Sequence, residues 1–120
     1  MKISAVIVNY NGERFLEACV ASVFGQTEKP FEVTVIDSFS TDGSKALLKT
    51  LAEKFKEMQT VFINENAGYA AAANIGIRRM KGDYVLLLNS DTSLKTDFLE
   101  KLCKAAKERE ILMECFPGSF

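Results

Sequence analysis

Four short runs of β-branched and aliphatic residues constrain this chain most. They are Ile3–Val8, Glu32–Ile36, Thr60–Ile63 and Tyr84–Leu88, and each stops abruptly at an amide or a carboxylate: Asn9, Asp37, Asn64 and Asn89. Runs this short, with turn residues at both ends, predict strands, and the five apolar residues of the last one predict a strand buried on both faces. Between the runs the apolar period changes to that of a helix. Phe15, Leu16, Cys19, Val20 and Val23 make one stripe, and Gly25 and Pro30 close it. Leu47, Leu48, Leu51, Ala52 and Phe55 make a second. Residues 69–80 read as a helix rich in small residues, with Ala at 70–73 and Gly76. Phe98, Leu99, Leu102, Cys103 and Ala106 make the last stripe, with Thr96 expected as its cap and Asp97 in its first turn.

Strand and helix alternate throughout, with short links. That order predicts an α/β domain of three layers, α/β/α, around a mainly parallel sheet with right-handed crossovers. A chain of 120 residues suits one such domain. It is expected over residues 1–110, with 111–120 as an irregular or short-strand tail.

Charge and composition remove several function classes. Fifteen basic and 16 acidic residues leave a net charge of −1, so no basic excess favours nucleic acid or an anionic membrane surface. No apolar run is long enough to span a bilayer, and Ile3–Val8 is too short for a secretory signal. Cys19, Cys103 and Cys115 are scattered, which fits reduced thiols in a cytoplasmic protein, with Cys19 and Cys103 packed in the core. There is no histidine, so a Ser-His-Asp triad, a Cys-His dyad and a His-based zinc site are excluded within the chain.

In a parallel sheet all four strand ends share one rim. Open α/β sheets bind ligands in the crevice outside that rim. Asp91, just past the fourth strand, is therefore placed where a metal–phosphate group can sit. Two nucleotide motifs are absent. There is no G-x-x-x-x-G-K-[ST], and the loop after the first strand, Asn9-Tyr10-Asn11-Gly12, lacks the glycines of a dinucleotide-binding turn.

Five segments in order carry a resemblance: Val6–Gly12, Val35–Ser44 (with Asp37, Ser40, Asp42 and Gly43), Asn64–Tyr69, Asn74-Ile75-Gly76 and Lys81–Thr92. Together they resemble family 2 glycosyltransferases of the GT-A fold, and most of all the rhamnosyltransferase-like branch. The resemblance implies strand order 3-2-1-4 and an N-terminal, truncated part of such a transferase that binds a nucleotide-diphospho-sugar, UDP- or dTDP-linked. It implies that Val8, Asn9 and Tyr10 cradle the nucleoside and that Asp37 contacts the base, since a carboxylate accepts an imide N–H. Asn74 and Arg78 share a face of the third helix, and Arg78 is suited to a phosphate oxygen. Asn89 and Asp91 occupy the family's D-x-D position, with Asn in place of the first Asp. One carboxylate, Asp91, then remains for Mg²⁺ or Mn²⁺, which implies weak metal binding without nucleotide.

Family members continue into acceptor-binding elements and a later catalytic base, whereas this sequence ends near the fourth helix. No general base is assigned. A non-catalytic nucleotide-sugar-binding remnant, or a half-site completed by another chain, is the alternative expectation. The open edge of the fourth strand is expected to be covered by the tail or by a second copy in a homodimer.

Overall fold

A computed structural model describes residues 1–109 of the chain. Eight elements alternate along it: β1 (Ile3–Asn9), α1 (Glu13–Phe24), β2 (Glu32–Ser38), α2 (Ser44–Lys54), β3 (Met58–Ile63), α3 (Tyr69–Arg79), β4 (Tyr84–Asn89) and α4 (Phe98–Arg109). The strands form one parallel sheet in the order β3-β2-β1-β4. The fold class and strand order are those expected. The tail expected at 111–120, and its covering of β4, lie outside the described residues.

Strand periodicity assigns every side chain to one of two faces. Ile3, Ala5 and Ile7 of β1, Val33 and Val35 of β2, and Leu86 and Leu88 of β4 point into the larger core. There they meet Leu16, Val20 and Val23 of α1, Leu48 and Leu51 of α2, and Leu99 and Cys103 of α4. Val6, Val8 and Ile36 point the other way and pack under α3 against Ala72 and Ala73. A Cβ on Gly76 would fall 2.3 Å from Val6 Cγ1, so α3 lies close enough to the sheet to need its small residues. Burying each large aliphatic side chain contributes about 1.5–3 kcal/mol.

Several boundaries differ from expectation, for one reason. The parallel ladder pairs Asn9 with Asp37 and Ser38 with Ile63, and this carries β1 and β2 past their apolar runs. β3 starts at Met58, which pairs with Val33. β4 is not buried on both faces. It lies at the sheet edge, where Leu86 and Leu88 are covered by the larger core while Val85 and Leu87 are half-covered and Tyr84 is exposed. Phe15 is also exposed. The buried stripe of α1 is Leu16, Cys19, Val20 and Val23, and Phe15 falls beside it. Thr96 and Asp97 form a turn before α4, and the Asp97 carbonyl accepts the Lys101 N–H at 3.0 Å. Among the described residues no helix is long and apolar enough to cross a membrane.

Candidate functional site

The rim divides into a locked half and an open half. In the locked half Asn9 and Asp37 lie side by side on the face of Val35 and Ile7, and both are fully buried. Asn9 Nδ2 donates to Asp37 Oδ1 at 2.9 Å and to Ser40 Oγ at 3.3 Å. The Ser40 hydroxyl donates to Asp37 Oδ1 at 2.7 Å, and the Ser40 N–H donates to Oδ2 at 3.1 Å. Asn11, in the left-handed region at φ 51°, accepts the N–H groups of Thr41 (2.7 Å) and Asp42 (3.2 Å). Glu13 accepts the Gly43 N–H at 2.9 Å, and Asp42 returns the bond by accepting the Glu13 N–H at 3.1 Å and the Ser44 N–H at 2.9 Å. Burial raises the Asp42 carboxyl, but hydrogen bonds from Ser44 and Glu13 outweigh it and hold the group below its ordinary range.

The segment from Asp37 to Ser44 therefore ties the β1–α1 and β2–α2 loops together and satisfies the amino ends of both helices. Asn9 and Asp37, both expected at the nucleoside, are fully buried, and neither the Asn9 amide nor the Asp37 carboxylate lines the cleft described below. Three protein donors occupy that carboxylate, and the strand parity that places Val35 in the larger core places Asp37 there too.

The open half lies on the α3 side. A cleft of about 340 Å³ is lined by Val8, Tyr10, Ser38, Asn66, Gly68, Tyr69 and Asn89. Tyr10 is 51% exposed. Gly68 has φ +88°, ψ 170°, a conformation that is essentially restricted to glycine, and it delivers the amino end of α3 to the cleft. Asn66 Oδ1 accepts the Gly68 N–H at 3.3 Å and fixes that turn. On the opposite wall the Ser90 N–H donates to the Val8 carbonyl at 3.1 Å, and the Thr92 N–H donates to the Asn89 carbonyl at 3.0 Å. This turn leaves Asp91 exposed on the rim. A larger hollow of about 600 Å³, lined by Phe24, Phe31, Glu57 and Gln59 among others, lies at the opposite end of the sheet, beside the starts of β2 and β3. Glu32, which also borders it, accepts the Ser4 hydroxyl at 2.5 Å and the Lys81 N–H, so its carboxylate is already engaged.

Of the residues expected at a site, Val8, Tyr10 and Asn89 come together, with Asp91 two positions past Asn89. Asn74 and Arg78 are exposed on α3 but do not line the cleft. Arg78 is nine residues beyond Tyr69, about 14 Å down a helix that leads away from the rim. Among the described residues no three His, Cys, Asp or Glu gather at one point. Cys19 Sγ lies 3.9 Å from the Asn89 carbonyl, and burial, with the Asp91 charge, pushes its thiol up to about 12, so it stays protonated and unreactive. Ser38 and Asn66 were missed from the sequence. The available signal was parity, since Ser38 sits two residues after Ile36 and shares its face.

Comparisons with known proteins bear on the family and the fold. The family model for glycosyl transferase family 2 matches residues 4–117. Glycosyltransferase GlyA of Streptococcus pneumoniae is 36% identical over 108 residues, which cover 89% of this chain and 15% of that protein. The structure of S. aureus TarS 1–349 in complex with UDP superposes with a TM-score of 0.80 at 23% identity, covering 92% of this chain and 33% of that one. Mannosyltransferase PcManGT from Pyrobaculum calidifontis, in complex with GDP-Man and Mn²⁺, superposes with a TM-score of 0.84 at 24% identity, covering 92% and 33%. The chain thus spans a third or less of each of these proteins, and the two structures establish a shared fold. By its motifs, its parallel 3-2-1-4 sheet and a family match over nearly its whole length, the chain belongs to glycosyl transferase family 2 and carries the GT-A fold.

Proposed function

We propose that the chain binds a UDP- or dTDP-sugar in the cleft on the α3 side of the rim, as a member of the rhamnosyltransferase-like branch that its motifs resemble. In the whole protein the bound donor then passes its glycosyl group to an acceptor hydroxyl. One observation carries this reading. The exposed ring of Tyr10, the amino end of α3 and the Asn89–Asp91 turn converge on a single cleft at the carboxyl ends of the strands. Tyr10 offers a surface for a base or a sugar, and the amino end of α3 favours a diphosphate. The UDP complex of TarS and the GDP-Man and Mn²⁺ complex of PcManGT support the ligand class.

The residues present fit a divalent metal. Asp91 supplies one hard carboxylate and Asn89 an amide oxygen, and Mg²⁺ or Mn²⁺ commonly completes such a set with diphosphate oxygens and waters. The metal would offset charge on the nucleoside diphosphate leaving group. With a single carboxylate at hand, metal and nucleotide bind together.

Differential scanning with UDP, dTDP and GDP, each with and without Mn²⁺, tests the proposal. A ligand at 100 times its Kd stabilises the native state by about 2.7 kcal/mol. UDP or dTDP with Mn²⁺ is expected to raise the melting temperature, and Mn²⁺ alone is not. No shift with any nucleotide contradicts the reading. A second reading is donor binding without turnover. Hydrolysis or transfer of the donor sugar separates the two. Among the described residues no strand pairs with the outer edge of β4, and that edge is proposed to take a second copy. Light scattering that shows only monomer removes that part of the proposal.

A further inference from the structure

The side-chain amide of Asn9 has two ends, and only one of them is answered. Its Nδ2 donates to Asp37 Oδ1 at 2.9 Å and to Ser40 Oγ at 3.3 Å. An ionised carboxylate only accepts hydrogen bonds, so the contact to Asp37 fixes which way the amide is turned. Asn9 Oδ1 is then the end that meets Gly12 and Ser90. A Cβ on Gly12 would fall 2.5 Å from Asn9 Oδ1 and 2.3 Å from Ser90 Oγ. Asn9 Oδ1 is buried and has no hydrogen-bond partner among the described residues. Leaving a buried acceptor unpaired costs stability, and such groups call for an explanation. The hydroxyls of Ser38, Ser44, Thr60 and Thr92 share this condition, but a hydroxyl turns to donate or accept, whereas an amide oxygen only accepts.

The sheet brings a donor to that oxygen. Val8 pairs with Asn89 in the parallel ladder, and the Ser90 N–H donates to the Val8 carbonyl at 3.1 Å, so Ser90 comes beside Asn9 at the next register position. By parity Asn9 shares the face of Ile7 and Ser90 that of Leu88, while Asn89 turns to the cleft. Ser90 is 4% exposed. Asp37, Asn9 and Ser90 therefore form a row across the ends of β2, β1 and β4. The row begins in the locked half of the rim and ends next to Asp91.

We infer that the Ser90 hydroxyl closes onto Asn9 Oδ1, and that this link positions the turn on which Asp91 holds the metal. This rests on the donor and metal site proposed above. Ser90 acts through Asp91 and is a positioning residue. The backbone of the turn is tied by the Ser90 N–H to Val8 and by the Thr92 N–H to Asn89. The side-chain link adds a sideways hold from the half of the rim whose loops are cross-braced. A lone carboxylate depends on being held where diphosphate oxygens complete the metal's set, so slack in the turn lowers metal affinity. Gly12 belongs to the device, because a side chain there would fill the place between the two oxygens.

Isothermal titration of Mn²⁺ into the UDP-saturated chain tests the inference, with Ser90→Ala and Ser90→Thr beside the wild type. Ser90→Ala removes the donor and should weaken Mn²⁺ about fivefold, the worth of one neutral hydrogen bond. Ser90→Thr keeps the hydroxyl and should stay within about twofold of the wild type. Melting temperatures without metal separate this role from a merely structural one, which would lower that of Ser90→Ala and leave its Mn²⁺ affinity where it was. Unchanged Mn²⁺ affinity in Ser90→Ala, whatever its melting temperature, overturns the inference and leaves the donor site standing. So does an equal loss in the Ala and Thr variants. A wild type that takes up no Mn²⁺ with UDP overturns the metal site, and the inference with it.

Discussion

Asp37 at the end of β2 and Asp91 past the end of β4 are aspartates on one rim, and they do different things. Asp37 is fully buried and holds Asn9 and Ser40. Asp91 is exposed on a four-residue turn beside the cleft. The same contrast runs through both halves of the rim. Loops β1–α1 and β2–α2 exchange side-chain caps through Asn11, Glu13 and Asp42. The β3–α3 loop and the β4 turn leave Asn66, Tyr69 and Asp91 exposed. One half is held in place by its own hydrogen bonds, and the other is the half proposed to take a ligand. Residue type and strand-end position do not distinguish the roles, but burial and partners do.

The largest expected effect lies in the locked half. Asp37→Ala removes the acceptor of the Ser40 hydroxyl and N–H and of the shorter Asn9 bond, and should cost about 3 kcal/mol, or roughly 15 °C in melting temperature for a domain of this size. Thermal denaturation of the variant measures this, and a change under a few degrees would erase the distinction between the halves. Gly68→Ala comes next. A Cβ there meets nothing within 4 Å, so the expected cost of about 1–3 kcal/mol is backbone strain alone. Urea midpoints check it. Phe39 sits in the left-handed region at φ 57°, and Phe39→Gly should stabilise the chain by about 0.5–1 kcal/mol despite losing the Lys45 contact to its ring. Asp91→Ala should move stability by less than about 0.5 kcal/mol, yet remove the Mn²⁺-dependent part of UDP stabilisation. Paired scans with and without Mn²⁺ sharpen the contrast with Asp37.

The smallest effect is a pH dependence. Burial raises the Glu32 carboxyl, but hydrogen bonds from Lys81, Ser4 and Gly82 outweigh it and leave the group below its ordinary value of 4.5. Asp42 is likewise held below 3.8. Groups lowered in the folded state stabilise it fully above their ordinary values, and that contribution is lost as pH falls through the lowered ones. Urea midpoints should therefore hold between pH 7 and about pH 5, then fall below about pH 4. Glu32→Gln should flatten part of that fall.

Much of the architecture was legible because two periods compete openly in this chain. Leu16, Cys19, Val20 and Val23 can only be a helix stripe, and Ile3–Val8 only a strand. The shared rim followed from parallel pairing. Which face each end residue takes was not legible. β1 and β2 are apolar on both sides, so Val35 and Ile36 look alike in sequence although they enter different cores. Hydrophobic alternation, which normally reports parity, is silent in such strands, so the face that Asp37 takes is not legible in the sequence. β4 misled for a related reason. Leu86, Leu87 and Leu88 would suit a central strand equally well, and only the strand order makes β4 an edge. The distance of Arg78 from the rim is legible from helix length, since it lies nine positions into α3, about 14 Å from where that helix begins.

Amide chemical shifts in a ¹H–¹⁵N spectrum, followed while UDP and Mg²⁺ are added, test the division of the rim most directly. Saturable shifts are predicted at Val8, Tyr10, Ser38, Asn66–Tyr69 and Asn89–Asp91, with Asn11, Glu13 and Thr41–Ser44 staying still. Shifts confined to Asn11–Glu13 and Thr41–Ser44, or no saturable shift at all, would contradict the account.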